Sequence, residues 1–163
     1  MKRQSFHAVF THNMAKIEEE IKSDKFRNMY HKASLNILVT ANWLTSHHNE
    51  IFKKYNLTSQ QYNVLRILRG QYPSPCTAMA IRERMLDKMS DVSRIVERLR
   101  IAGYLDRISC PEDRRAVDIK ITEKGLSVLD AIGSEEPVMD AMVNSLSVAE
   151  AKQLSDLLEK VRS

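Results

Sequence analysis

Arg94 and Arg98 stand four residues apart in the run SDVSRIVERLR, so a helix places them one turn apart on one face. A guanidinium carries a planar fork of donors that fits phosphate oxygens or the O6/N7 edge of guanine. Ser90, Asp91 and Ser93 lie in the turn where a recognition helix meets base edges. Asp91 needs its own account, because phosphates repel carboxylates. It either accepts a hydrogen bond from a cytosine amino group or favours the helix N-terminus through the dipole, and the dipole reading carries more weight. Most helix arginines are plain solvated charge. A nucleic-acid role for these residues therefore depends on the elements around them.

Those elements can be read from periodicity. Val92, Ile95, Val96 and Leu99 fall at i, i+3, i+4 and i+7, which gathers four apolar side chains on one face and leaves Arg94 and Arg98 on the other. Gly103, free to take positive φ, predicts the helix end. Two short runs follow, 104–109 and 116–121, joined by Cys-Pro-Glu-Asp-Arg-Arg. Val117, Ile119 and Ile121 alternate with Asp118 and Lys120, the period of a half-buried strand. A polar-faced helix followed by a β-hairpin with Arg114 and Arg115 at its tip is the layout of a winged helix. Such a helix fits the DNA major groove, and its hairpin reaches phosphates or the minor groove.

The stretches LTSQQYNVL (57–65), DVSRIVERLRIAGYLDR (91–107) and EDRRAVDIKITEKG (112–125) occur in this order. Together they resemble the DNA-binding lobe of the multiple-antibiotic-resistance regulator (MarR) family over about seventy residues. Asp113 and Arg115 have the family's Asp-x-Arg wing spacing. Asp113 is expected to hold the hairpin tip, Arg115 to enter the minor groove and Arg114 to bind phosphate. Lys88, in the turn before the recognition helix, and Lys120, on the wing strand, are further phosphate candidates, with plain surface charge an equal account of both. The resemblance also implies a two-fold homodimer on double-stranded DNA, and small aromatic acids bound between the first long helix and the DNA lobe. Trp43, His47 and Tyr62 are the residues to line such a pocket here, although core packing explains them as well.

The rest of the chain is expected to build the support. Residues 1–22 read as an arm with a helical turn or two near Glu18-Glu19-Glu20. Ser23-Asp24 predicts the start of a long helix with one stripe through Phe26, Met29, Tyr30, Ala33, Ile37, Ala41, Leu44, His48 and Ile51, and a second through Leu35, Leu38, Val39 and Trp43. A helix apolar on two sides requires more than one neighbour. Thr58 with Gln61 forms a capping box for a helix burying Tyr62, Leu65 and Leu68; Thr77 caps the next, with Met79, Ile81 and Met85. Thr122 is an N-cap for Leu126, Leu129 and Ile132, with a break at Gly133-Ser134 and Pro137. Ser147 with Glu150 is a second capping box, opening a helix with Leu154, Leu157, Leu158 and Val161 on one side.

The fold class is therefore mainly α with a small β-hairpin wing. A winged helix-turn-helix (57–122) is inserted in a helical dimerisation lobe (23–56 and 123–163), within one 163-residue domain. A formal net charge of +4 agrees with a nucleic-acid partner without requiring one. No apolar run spans a bilayer and no signal-peptide core is present, so a cytoplasmic location is expected. Cys76 and Cys110 have no metal spacing, and the five histidines include no His-Glu-x-x-His pattern. Oxidation of exposed Cys110 is a minor expectation. No nucleophile–base pattern or phosphate loop suggests an enzyme, and no cofactor or metal is expected. The reading is a dimeric, sequence-specific transcriptional regulator, a repressor relieved by a small aromatic ligand. The alternative is a winged-helix scaffold for other proteins, or an architectural DNA binder without sequence choice.

Overall fold

The computed structural model describes residues 16–109 and 117–163. In chain order these form α1 (Ile17–Glu20), α2 (Met29–Lys53), α3 (Ser59–Arg69), β1 (Cys76–Thr77), α4 (Ala78–Arg84), α5 (Val92–Ile101), β2 (Leu105–Ser109), β3 (Val117–Ile121), α6 (Glu123–Gly133), α7 (Glu136–Ala141) and α8 (Val148–Val161). The chain divides into two compact units. One is His47–Met139; the other joins Met1–Ser46 to Asp140–Ser163.

The His47–Met139 unit is a winged helix. α3 lies against α5 and α6, and α4 against α5. Its core holds Val64, Leu65, Ile67 and Leu68 of α3, Ile81 of α4, Val92, Val96 and Leu99 of α5, and Leu129 and Ile132 of α6. Burying a side chain of this size contributes about 1.5–3 kcal/mol. The expected hairpin is present as β2 and β3, with Leu105 opposite Ile121 and Arg107 opposite Ile119. It is part of a three-stranded antiparallel sheet in the order β1-β3-β2, because Cys76 and Thr77 pair with Ile119 and Asp118. Ile119 and Ile121 are buried, as their alternation requires.

Four of the predicted caps are made. The Oγ1 atoms of Thr58, Thr77 and Thr122 accept the N–H groups of Gln61, Ala80 and Gly125, and Ser147 Oγ accepts that of Glu150. Two details differ from the sequence reading. Met79 is exposed on α4 rather than buried, while Ile81 and Met85 do enter the core. The long helix begins at Met29, not Ser23-Asp24. Asn28 Oδ1 accepts the His31 N–H at 2.9 Å, whereas Ser23 Oγ caps only a local turn at Lys25.

In the other unit, α1 carries Glu18, whose carboxylate is bound by Lys32 of α2 at 2.6 Å; Lys32 also lies 5.3 Å from the centre of the Phe26 ring. Ile17 and Met142 are its buried apolar side chains among the described residues. Met29, Tyr30, Ile37 and Leu38 of α2 and Leu154, Leu157 and Val161 of α8 are exposed. Neither expected stripe of α2 is therefore fully covered.

Candidate nucleic-acid interface

α5 is fixed at both ends, so its outward face is fixed too. At the start, Asp91 is the N-cap, and its Oδ1 accepts the Arg94 N–H at 3.0 Å. That bond engages the carboxylate in holding the first turn, which is a capping role rather than a dipole effect alone. Ser90 is half-buried, and its Oγ donates to Asp87 Oδ2 at 2.9 Å, bracing the turn between α4 and α5. Lys88 is exposed and donates from Nζ to the Glu83 carbonyl at 2.6 Å. Asp91 is itself exposed, as are Ser93 and Arg94 on the helix surface.

The C-terminus of α5 closes in a Schellman arrangement. The Gly103 and Tyr104 N–H groups donate to the carbonyls of Arg100 and Leu99, with Gly103 at φ +79°. The Thr-Glu-Lys-Gly segment then clamps this end. Thr122 Oγ1 donates to the Gly103 carbonyl, and Lys124 Nζ donates to the Ala102 carbonyl at 2.7 Å while lying 4.9 Å from the centre of the Tyr104 ring. A cation at a helix C-terminus also meets the negative end of the dipole. Gly125 permits the approach, since a Cβ there lies 2.5 Å from the Tyr104 carbonyl oxygen and 2.6 Å from Ile121 Cγ1. The motif that resembles the family thus fastens the recognition helix to the wing and to α6.

The arginines separate into two sets. Glu97 binds Arg100 at 2.8 Å and Arg107 of β2 at 3.4 Å. The hydrogen bond from Arg100, with Arg107 adding its charge, holds the Glu97 carboxyl below the usual carboxylate range. Arg94 and Arg98 form no ion pair among the described residues. Both line a hollow of about 230 Å³ with Thr58, Gln60 and Gln61 from the start of α3 and Asp87, Ser90, Asp91 and Ile95. Two exposed guanidinium groups on a rigid helix can take phosphate oxygens or guanine edges.

Asp113, Arg114, Arg115 and Cys110 lie outside the described residues. Lys120 sits on β3 opposite Asp106. Tyr62 stacks on Phe52 at 4.3 Å, and His48 lies 6.1 Å from the same ring, so Tyr62 serves packing within the lobe. Trp43 and His47 are half-buried on α2; His47 belongs to the His47–Met139 unit and Trp43 to the other. Cys76 is a buried thiol whose pKa burial pushes up, the opposite of what a reactive cysteine needs. Among the described residues no cluster of three His, Cys, Asp or Glu side chains is placed to hold a metal, and no helix is long and apolar enough to cross a membrane.

Comparison with known proteins agrees with this geometry. Residues 55–116 match the model of the MarR family. The regulator MgrA of Staphylococcus aureus is 32% identical over 113 residues, covering 69% of this chain and 75% of MgrA. The chain belongs to the MarR family. A MarR transcription factor from Planctomyces limnophilus is 30% identical, with a TM-score of 0.62 over 85% of this chain and 98% of that one. BpsR of Bordetella bronchiseptica, a protein whose DNA binding is regulated by 6-hydroxynicotinic acid, shares the fold at 20% identity. Its TM-score is 0.73 over 85% of this chain and 99% of BpsR. MarR proteins are DNA-binding transcription regulators rather than enzymes, and this chain carries their winged helix-turn-helix.

Proposed function

We propose that this MarR protein is a dimeric, sequence-specific regulator that represses transcription by occupying double-stranded DNA, with a small aromatic ligand lowering its affinity. The observation that carries the reading is the outward face of α5. Ser93, Arg94 and Arg98 are exposed there, on a helix capped by Asp91 and clamped by Thr122 and Lys124. A helix of ten residues is about 15 Å long and fits a major groove about 12 Å wide. Two such helices, one per protomer, enter successive major grooves about 34 Å apart, while the wings reach the flanks through Arg114 and Arg115. Arg98 and Lys88 add phosphate contacts, and Ser93 with Arg94 supplies sequence choice. The dimer contact draws on the helical lobe of 23–56 and 123–163, whose exposed Leu154, Leu157 and Val161 support a pairing role. Repression follows from exclusion of polymerase by a bound dimer. The effector is supported by BpsR, whose ligand is an aromatic acid.

The test is binding to the DNA upstream of the protein's own coding region, against a scrambled duplex, across a salt series. The expected result is specific binding that falls steeply with salt and weakens about 10- to 100-fold in Arg94→Ala. Equal affinity for both duplexes identifies an architectural binder, and no binding at low salt leaves only a protein scaffold.

A further inference from the structure

We propose that the DNA-facing surface of this protein contains a seat for the methyl group of one thymine per half-site, built by Met79 of α4 over the buried Val92 of α5, with Ser93 beside it. The inference rests on the reading of α5 as the recognition helix. Ala78, Met79, Arg82, Val92 and Ser93 line a hollow of about 290 Å³ where the start of the positioning helix meets the first turn of α5. Val92 is buried, yet Met79 is 70% exposed. A large apolar side chain left in water beside a recognition helix gives that surface something to bury when DNA arrives.

The occupant follows from continuity and chemistry. Ser93 belongs both to the hollow and to the exposed first turn that precedes Arg94, so the hollow adjoins the DNA-facing residues. Thymine presents a C5-methyl in the major groove beside an O4 acceptor. The exposed Met79 side chain suits the methyl, with Val92 buried behind it, and the Ser93 hydroxyl can donate to O4. Arg82 lines the same hollow and supplies positive charge for a neighbouring phosphate. Cytosine lacks the methyl, so the seat discriminates between the two pyrimidines through that group, since a serine hydroxyl pairs with either O4 or the cytosine amino group.

The experiment starts from duplexes that the full-length wild-type protein selects from a random library. Each thymine in the selected site is replaced in turn by deoxyuridine, which removes only the methyl, and affinities are measured for wild type and Met79→Ala. Because Met79 is exposed, the variant is expected to keep the wild-type circular dichroism and melting temperature. One thymine per half-site is expected to show about four-fold weaker wild-type binding on losing its methyl. Met79→Ala is expected to bind the thymine duplex more weakly by a similar factor and to ignore the change to uracil. If no methyl matters, or if the penalty persists unchanged in Met79→Ala, the seat is wrong while the regulator reading stands. If the wild-type protein selects no sequence, both readings fall together.

Discussion

In α5, Val92, Val96 and Leu99 are at most 1% exposed, whereas in α8 the similarly spaced Leu154, Leu157 and Val161 are 45%, 53% and 69% exposed. Both helices are amphipathic, and both begin with a side-chain cap that satisfies a first-turn N–H. The difference lies in their neighbours. α5 has α3, α4 and β2 against its apolar face, and the lobe closes its core within one chain. All buried apolar side chains among the described residues except Ile17 and Met142 belong to His47–Met139. The apolar face of α8 stays open among the described residues, which supports the dimer proposed above. The two units thus contrast a core closed within the chain with apolar faces left open among the described residues.

The largest expected effect lies in the closed core. Leu99→Ala should lower the unfolding free energy by about 3 kcal/mol, read from chemical denaturation, and abolish DNA binding near the melting range. A loss below about 1 kcal/mol would contradict a fully packed site. On the open side, Leu157→Glu should leave the helical content intact and raise the dimer dissociation constant at least about ten-fold in sedimentation, since a charge then enters an apolar contact. An unchanged dimer would move the contact off this face of α8.

Smaller effects probe how the lobe holds its functional helix. Asp91→Ala removes the N-cap of α5 and should cost about 1 kcal/mol of stability, while Asp91→Asn should cost only a few tenths. Equal losses for both would show that charge rather than capping matters. The smallest effect is on pH dependence. Burial, with the neighbouring His47 charge adding to it, lowers the His48 pKa in the folded state. As pH falls, the unfolded chain therefore takes up this proton first. The contribution to stability is full above about pH 6.5 and is lost as pH falls toward the lowered folded value. Between pH 7.5 and pH 5.5 the wild-type melting temperature should drop slightly more than that of His48→Gln.

What could be read directly from the chain was local. The side-chain caps at Thr58, Thr77, Thr122 and Ser147 need only a hydroxyl three residues before an N–H, so sequence spacing suffices. The apolar face of α5 and the alternation at Ile119 and Ile121 are equally short-range patterns, and Gly103 marked a positive-φ helix end. The same locality explains why Arg94 and Arg98 stood out as a pair one turn apart.

Tertiary structure decided the rest, because each remaining point depends on residues distant in sequence. The two-residue β1 is too short to show a period and exists through its pairing with Ile119 and Asp118. Met79 has the composition of a core residue, but its position on α4 leaves it exposed. Arg100 and Arg107 look like Arg94 and Arg98 in the sequence. Arg100 meets Glu97 within α5, but only the approach of β2 brings Arg107 to the same carboxylate, while Arg94 and Arg98 form no ion pair among the described residues. The sequence by itself determined which faces are apolar and where helices begin. Which of those faces is covered within the chain, and which charges are neutralised, was settled by tertiary neighbours, because burial and pairing are properties of what lies opposite.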